Sequence, residues 1–393
     1  MSEWKLKDCC LSISDGDHLP PPKAESGIPF ITISNIDATN HIDFGNTLFV
    51  PIDYYNKLDS IRKARPNDII YSVVGSFGKP VLIKDNRKFV FQRHIAILRP
   101  NSEVVDSRFL YYVMLSRDFY MQADSVALGA AQRTISLTSL RNMKVELPSL
   151  ANQIHIADIL SRYDSLIENY QKQIKLLEEA AQRLYKEWFV DLRFPGHENT
   201  KIVDGVPVGW EKNSVSQLGD YLNGFAFKPS DWQETGKPII KIKEMGNGVS
   251  DETPRNNGER VPVKYLVKAG DLLFSWSATL MVIVWTGEEG WLNQHLFKVT
   301  PAKGIGREFL LQSISNAIAE FSNLTTGSTM KHIQRNKLDQ VFVNTPSSIV
   351  MEKYNKVAES IRAQILNISS QIHNLTEARD RLLPKLMSGE IAV

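Results

Sequence analysis

The chain repeats itself, and this duplication constrains its fold more strongly than any other feature of the sequence. Segments 129–148 and 327–346 align without a gap and share several identical positions. These identical pairs are Gly129/Gly327, Ile135/Ile333, Leu140/Leu338, Val145/Val343 and Pro148/Pro346. Upstream, further matches follow in the same order, shifted slightly as loop insertions would shift them: Trp4/Trp210, Asp68/Asp271 and His94/His295. The series predicts two copies of one structural unit in a single chain.

Each copy ends in a long apolar stripe whose spacing alternates between three and four residues. The first stripe consists of Leu160, Tyr163, Ile167, Tyr170, Ile174, Leu177, Ala181, Leu184 and Trp188. The second consists of Ala358, Ile361, Ile365, Ile368, Ile372, Leu375, Arg379, Leu382 and Leu386, and only Arg379 breaks it. Such spacing is typical of the a and d positions of a coiled coil. Each seam needs an apolar partner and the other seam is the nearest, so we predict an intramolecular coiled coil.

The rest of each copy contains short β-type runs, such as 30–34, 69–74 and 280–285, which Gly, Pro, Asn and Asp separate. We therefore predict an α+β fold. Two mixed α/β domains, related by an approximate two-fold axis, are separated by a long antiparallel coiled coil. The predicted boundaries are 1–148 for the first domain, 149–195 for the central helix, 196–346 for the second domain and 347–393 for the C-terminal helix. A helix from Leu160 to Trp188 spans roughly 42 Å, somewhat more than one turn of B-DNA at about 34–36 Å.

Composition and charge exclude several classes of protein. The chain has 46 Lys and Arg against 44 Asp and Glu, and a net charge of +2 neither indicates nor excludes a nucleic-acid partner. Its longest apolar run, 272–285, is shorter than the roughly 20 residues of a transmembrane helix. The N-terminus lacks the apolar segment of a signal peptide. Cys9 and Cys10 are adjacent, which disfavours a disulfide or a zinc site. We expect a cytoplasmic protein with no membrane partner.

Motifs that carry chemistry are missing from the sequence. It has no Asn/Asp-Pro-Pro-Tyr/Phe motif of an adenine methyltransferase, no GxxxxGK[ST] phosphate loop, no HExxH metal pair and no GxSxG nucleophile turn. We therefore expect neither catalytic nor metal-binding residues in this chain. Two alternatives stay open at this point. One is a complete nuclease or methyltransferase that acts alone, and the other is a coiled-coil adaptor that binds proteins without DNA specificity.

Four segments make the chain resemble the specificity subunit of type I restriction–modification systems. They are GVPVGW at 205–210 with LGD at 218–220, KAGDLLFS at 268–275, LPSLANQ at 147–153 with IADIL at 156–160, and RLLPKLMSGEI at 381–391. The resemblance covers essentially the whole chain. Two departures are mild: Thr345-Pro346 only weakly repeats Leu147-Pro148, and Arg379 lies in the second seam.

The resemblance implies a division of labour. Each globular domain of such a subunit reads one half of a split sequence in double-stranded DNA, and the coiled coil sets the gap between the halves. Two adenine methyltransferase subunits dock on the coiled coil, and motor-nuclease subunits join the larger complex. The specificity subunit performs no chemistry. S-adenosylmethionine, ATP and Mg²⁺ are therefore expected on partner subunits, and no cofactor is expected on this chain.

The candidate DNA-binding residues lie in polar loops beside β-type runs, where polar side chains can read base edges and Lys or Arg can bind phosphates. They are Gln132, Arg133 and Thr134 with their counterparts Lys331 and His332, Ser76 and Lys79 with their counterpart Thr279, and Lys228. Small residues that precede Gln132 and its counterpart segment at Lys331 allow the backbone to approach a phosphate closely. For Gln132, Arg133 and Thr134 and their counterparts the alternative is an ordinary solvated loop. The aromatic residues in the segment before Lys228 favour a core position, while Lys228 itself could bind a phosphate. His94 and His295 fall at strand-like positions, which favours a structural role.

Apolar residues that lie off the first seam are candidates for partner docking. They are Leu166, Leu176, Tyr185 and Phe189. The outer face of a coiled coil is usually only solvated, so the docking role follows from the resemblance and not from the pattern.

Overall fold

The chain divides into two compact units, each of which combines residues that are distant in sequence. The computed structural model describes residues 2–16, 20–37, 39–129, 132–323 and 337–391. The first unit comprises Met1–Ile167 and Leu375–Val393, and the second comprises Glu168–Asn374. Each unit therefore contains one mixed α/β region together with a part of each long helix.

The first unit contains strands β1 to β9 and most of the shorter helices. The strands are β1 (Ser2–Lys5), β2 (Cys10–Asp15), β3 (Ile28–Ile31), β4 (Leu48–Val50), β5 (Ile69–Ser72), β6 (Pro80–Leu82), β7 (Val90–Phe91), β8 (Ile95–Pro100) and β9 (Lys144–Leu147). The helices are α1 (Leu6–Cys9), α2 (Ile52–Lys57), α3 (Ser107–Leu115), α4 (Arg117–Val126), α5 (Leu137–Asn142), the first part of α6 (Leu150–Tyr185) and the last part of α9 (Ser348–Met387).

The main sheet of the first unit is antiparallel, with strand order β2-β8-β5-β6. A smaller sheet has the order β4-β3-β7, in which β3 is antiparallel to β4 and parallel to β7. Successive residues of a strand point to opposite faces. Ile69 and Tyr71 of β5 accordingly join the larger apolar core beneath the helices, whereas Ile70 joins the core on the other face. The main sheet is thus covered on both sides.

The second unit contains strands β10 to β21. They are β10 (Ile202–Val203), β11 (Val206–Pro207), β12 (Glu211–Ser214), β13 (Gly219–Asn223), β14 (Lys237–Ile240), β15 (Arg255–Asn256), β16 (Leu266–Val267), β17 (Leu272–Ser275), β18 (Met281–Val284), β19 (Gly290–Leu292), β20 (Leu296–Pro301) and β21 (Phe342–Thr345). The helices are α7 (Ile242–Asn247), α8 (Arg307–Asn323), the second part of α6 and the first part of α9 (Ser348–Met387).

The sheets of the second unit repeat those of the first. The main sheet is antiparallel with order β13-β20-β17-β18, and in the smaller sheet β14 is antiparallel to β15 and parallel to β19. The smaller sheet has one strand more than that of the first unit, because β16 pairs antiparallel with β19. Leu272 and Phe274 of β17 join one core, and Leu273 joins the other. The predicted α+β class and the predicted duplication are therefore both confirmed.

Within each unit, the segments of the two long helices run antiparallel. In the first unit Leu160 shares a core with Leu386, and four residues later Asp164 pairs with Arg379 at 2.7 Å. In the second unit Glu178 interacts electrostatically with Arg362, and the ring of Trp188 lies 5.8 Å from that of Tyr354. In both units, residues of increasing number along α6 contact residues of decreasing number along α9, so the two helices are antiparallel.

The apolar seam is covered along both long helices, and every residue of the predicted seam is buried or half-buried. These residues are Leu160, Tyr163, Ile167, Tyr170, Ile174, Leu177 and Leu184 in α6, and Ile361, Ile365, Ile368, Ile372, Leu375 and Leu382 in α9. Arg379 interrupts the apolar pattern without leaving a charge unpaired, because it forms ion pairs with Asp164 and Asp380. In the described parts of the chain, none of the helices is long and apolar enough to span a bilayer.

Candidate nucleic-acid interface

A hairpin loop extends from the same end of the main sheet in each unit. The first hairpin loop, residues 73–79, joins β5 to β6, and the second hairpin loop, residues 276–280, joins β17 to β18. A short turn that precedes β8 or β20 lies beside each loop, since Ser72 is paired with Ile95 and Ser275 with Leu296. These loops contain three of the predicted DNA-binding residues: Ser76, Lys79 and Thr279.

A fully buried serine fixes each hairpin loop. The Ser72 hydroxyl donates to the Ser76 carbonyl at 3.0 Å and accepts from the Lys79 amide at 2.9 Å. The Ser275 hydroxyl lies 2.8 Å from the Thr279 carbonyl oxygen and 3.1 Å from that of Ser277. Because a buried hydroxyl is costly to leave without partners, each loop is held in one conformation. Equivalent serines thus hold the equivalent hairpin loop in each unit.

The first hairpin loop and the predicted segment at Gln132 come together in the structure. The Gly75 amide donates to the Arg133 carbonyl at 2.9 Å, and the Ile135 amide donates to the Val73 carbonyl at 2.8 Å. Thr134 exchanges two backbone hydrogen bonds with Leu128, at 2.8 and 2.9 Å. Two groups of candidate residues that are distant in sequence therefore form one polar surface on the first unit.

The side chains on this surface differ in how strongly the protein already engages them. Gln132 and Ser76 are exposed. Lys79 is half-buried, and its ammonium group lies 3.5 Å from the Ile36 carbonyl oxygen. Arg133 forms an ion pair with Asp124 and lies over the ring of Phe77. Gln132 and Ser76 can accordingly meet a ligand without breaking existing contacts, whereas Arg133 cannot.

The turn that holds His94 adds an exposed cation, Arg93, which was not among the predicted residues. The predicted strand positions of His94 and His295 were wrong, because both residues lie in turns directly before a strand, β8 or β20. The His94 carbonyl accepts from the Val73 amide at 2.9 Å, which ties the turn to the first hairpin loop. Burial and the neighbouring Arg93 lower the pKa of His94. Arg93 is exposed beside the loop, and the matched histidines were the signal that could have located it.

On the second unit the corresponding surface carries Thr279 and Lys228. Thr279 is exposed at the tip of the second hairpin loop, and Lys228 is exposed just after β13. Trp276 of the loop donates its indole N–H to the Asn223 side chain at 3.3 Å, so the loop and the end of β13 are in contact. Lys331 and His332 lie outside the described residues.

A cleft of about 540 Å³ opens next to Lys228. Its wall includes Phe225 and Phe227, whose rings are 4.9 Å apart. Arg260 and Asn257 lie on its rim. Neither Arg260 nor Asn257 was predicted, because nothing local in the sequence relates 257–260 to 225–228. Among the described residues, no group of His, Cys, Asp and Glu could hold a metal ion.

Two of the predicted docking residues are buried, which corrects that part of the prediction. Tyr185 is only 4% exposed and Phe189 only 6%. The Tyr185 hydroxyl lies 3.0 Å from the Ser313 hydroxyl of α8, and burial raises the pKa of Tyr185 to about 12. Phe189 lies in a π-helical turn, Lys186–Val190, that changes the phase of the helix. Both aromatic side chains belong to the core of the second unit and are unavailable to a partner.

The other two docking candidates remain accessible on α6. Leu166 is 44% exposed and Leu176 is 64% exposed. Large apolar side chains on a helix that already has a covered seam leave apolar surface in contact with water.

Together these features define a class of protein: a duplicated recognition scaffold, in which two similar α+β units each present polar loops from one end of a sheet. The sequence profile described as "Type I restriction modification DNA specificity domain" matches residues 3–179 and 207–361. The chain belongs to this family.

Relatives and a solved structure agree with this assignment. The chain is 26% identical to the type I restriction enzyme MjaIX specificity subunit of Methanocaldococcus jannaschii, over 75% of this chain and 71% of the relative. It is 25% identical to the HindI specificity subunit of Haemophilus influenzae, over 100% of both chains. The fold is similar to that of a type I restriction-modification system S subunit from M. genitalium, with a TM-score of 0.53, 15% identity and coverage of 98% of this chain and 95% of the other.

Proposed function

We propose that this chain is the DNA-reading subunit of a type I restriction–modification complex and that each unit reads one half of a split target. The observation that carries the proposal is the matched pair of hairpin loops. Each loop is fixed by an equivalent buried serine, Ser72 in the first unit and Ser275 in the second, at the same end of the main sheet. The residues exposed on the loops differ, so the two halves of the target differ in sequence.

Three exposed cations on these surfaces are available to a nucleic acid, although the cleft beside Lys228 is also lined by Asp231 and Glu259. Arg93 on the first unit and Lys228 and Arg260 on the second are exposed, and none of them makes an ion pair with another described residue. Unpaired cations can neutralise phosphates, while neighbouring polar side chains such as Gln132 and Asn257 can reach base edges.

The long helices supply the second part of the proposed function. Their antiparallel segments set the number of base pairs between the two halves of the target. The exposed Leu166 and Leu176 contribute to the binding of two adenine methyltransferase subunits. Motor-nuclease subunits complete the assembly, and S-adenosylmethionine, ATP and Mg²⁺ bind to these partners. The chain itself performs no chemistry, and the complex acts in the cytoplasm.

The direct test is to map DNA methylation. The chain is co-expressed with the adenine methyltransferase encoded beside it, in a host without adenine methylation, and modified adenines are mapped by long-read sequencing. We expect a split motif with a fixed gap. A continuous motif, or methylation that does not depend on this chain, would contradict the proposal. The second outcome, together with duplex binding that is insensitive to salt, would favour a protein-binding adaptor.

A further inference from the structure

Arg133 is the obvious DNA-binding residue of the first unit, but its guanidinium group is already engaged. It forms an ion pair with the Asp124 carboxylate and a hydrogen bond with the Asp124 carbonyl oxygen. Its central carbon also lies 5.4 Å from the centre of the Phe77 ring. To reach a base, Arg133 would have to give up both the charge pair and the ring contact. Its contacts are those of a residue that positions its neighbours.

The contacts of Arg133 join three elements of the first unit. Asp124 lies near the end of α4, and Phe77 belongs to the first hairpin loop. The Phe77 ring stacks on Tyr120 of the same helix, with 5.9 Å between ring centres. The backbone of Arg133 adds the hydrogen bond from Gly75. Loss of the Asp124 carboxylate would therefore remove the charge pair between this segment and α4, while the Arg133 side chain and its hydrogen bond with the Asp124 backbone carbonyl oxygen remain.

Gln132 is the side chain that this arrangement presents. It is exposed, and its side chain makes no hydrogen bond or ion pair with any residue that the structure describes. Its amide nitrogen lies 3.8 Å from the position that a Cβ would occupy at Gly75. Gly75 has φ +68°, a left-handed conformation that favours glycine, so the loop stays open beside the amide. A carboxamide offers one donor and one acceptor together, which matches the major-groove edge of adenine.

We infer that Gln132 is a base-reading residue of the first half of the target, and that Arg133, held by Asp124 and Phe77, is a positioning residue that does not contact the bases. This inference rests on the proposed function, because it assumes that the first unit reads DNA. It assigns different roles to two adjacent residues and adds Asp124, which lies on a helix, to the recognition machinery.

The test compares methylation motifs of the intact complex with the methyltransferase, using wild-type chain and single variants. Gln132→Ala should make one base position of one half degenerate, with discrimination there falling roughly 10- to 100-fold, while the other half is unchanged. Asp124→Asn should weaken discrimination at the same position, because it removes the charge of the pair that positions Arg133 and, through it, Gln132. Lys144→Met, which removes only the exposed ion pair with Glu3, is the control and should leave the motif intact.

The Asp124→Asn variant separates positioning from direct contact. If Arg133 itself reads DNA, freeing it from Asp124 keeps or strengthens recognition, whereas Arg133→Met abolishes it, and that pair of results would overturn the inference. An unchanged motif in Gln132→Ala would overturn the assignment of Gln132. Thermal unfolding of each complex shows whether a variant has lost its fold. If Gln132→Ala or Arg133→Met does not fold, the methylation motifs of Gln132→Glu and Asp124→Asn decide whether Gln132 reads a base and whether Arg133 only positions it. If the wild-type chain gives no split motif, the proposed function fails and the inference falls with it.

Discussion

At the scale of single residues, the ion pair between Glu308 and Arg362 is the most deeply buried charge pair among the described residues. Its side chains are 1% and 5% exposed, and Arg362 Nε lies 2.7 Å from a Glu308 carboxylate oxygen. Burial raises the pKa of Glu308, and Arg362 opposes that shift. A buried pair contributes little net stability, but loss of one partner leaves the other uncompensated. The pair therefore fixes how α8 lies against α9 within the second unit.

Replacing Arg362 by Met should destabilise the second unit by about 3–5 kcal/mol. Without Arg362, the pKa of Glu308 should rise further in the folded state. A carboxyl group whose pKa is raised in the folded state contributes stability below the ordinary glutamate pKa, and that contribution is lost as pH rises. The difference in free energy of unfolding between the wild type and the variant should therefore grow from pH 5 to pH 8. Calorimetric unfolding at several pH values measures this effect. Arg183→Met, which removes an exposed pair with Glu179 on α6, is the matched control and should cost at most about 0.5 kcal/mol.

The two loop serines allow a paired experiment. Ser72→Ala removes the hydroxyl that holds the first hairpin loop, and Ser275→Ala removes the one that holds the second. Each change should cost about 1–3 kcal/mol locally, because it removes the two hydrogen bonds of a fully buried hydroxyl. We expect Ser72→Ala to loosen only one half of the methylation motif and Ser275→Ala only the other. Equal loss in both halves would contradict independent reading, and Ser388→Ala, at an exposed site, should change neither half.

At the scale of elements, the antiparallel pairing inside each unit decides how the coiled coil can be altered. An insertion in α6 alone would shift Leu160 away from Leu386 or Trp188 away from Tyr354, because both contacts depend on register. To lengthen the coiled coil without changing the helix register inside either unit, insertions of equal length are therefore needed in both long helices. The boundaries between the units, after Ile167 in α6 and after Asn374 in α9, are the appropriate points.

Inserting seven residues at each of these two points should lengthen the gap in the motif by about three base pairs. Seven residues keep the heptad phase and add about 10.5 Å of helix, and base pairs are spaced by roughly 3.4 Å. Neither half of the motif should change. Methylation mapping reads both quantities at once. An unchanged gap in a folded, active variant would show that the helices do not set the spacing.

At the scale of the whole molecule, the duplicated architecture predicts that both halves of the target are needed together. The complex should bind a duplex with both halves at least about 100-fold more tightly than one with a scrambled half, since each mismatched base pair costs about 1–3 kcal/mol. Fluorescence anisotropy at one fixed salt concentration measures this ratio. Affinity should also fall steeply as salt increases. Equal binding of both duplexes would mean that one unit alone carries recognition.

The features that sequence could predict were the periodic and repeated ones. The seam of α6 and α9 was visible because a heptad pattern is local and every residue of it except Arg379 is apolar. The duplication was visible because matched residues such as Asp68 and Asp271 keep their order. The pairing of Arg379 with Asp164 was not visible, since those residues lie on different helices and only their packing brings them together.

The sequence by itself determined that this protein is built from two related α+β units and two long helices with an apolar seam, because repeats and periodic spacing can be recognised along a sequence. Only the tertiary structure decided which candidate residues are available. It buried Tyr185 and Phe189 beneath α8, engaged Arg133 with Asp124, left Gln132 exposed and brought Arg260 to the cleft beside Lys228. The physical reason is that exposure and charge pairing depend on neighbours that are distant in sequence, and no local pattern records which neighbours those are.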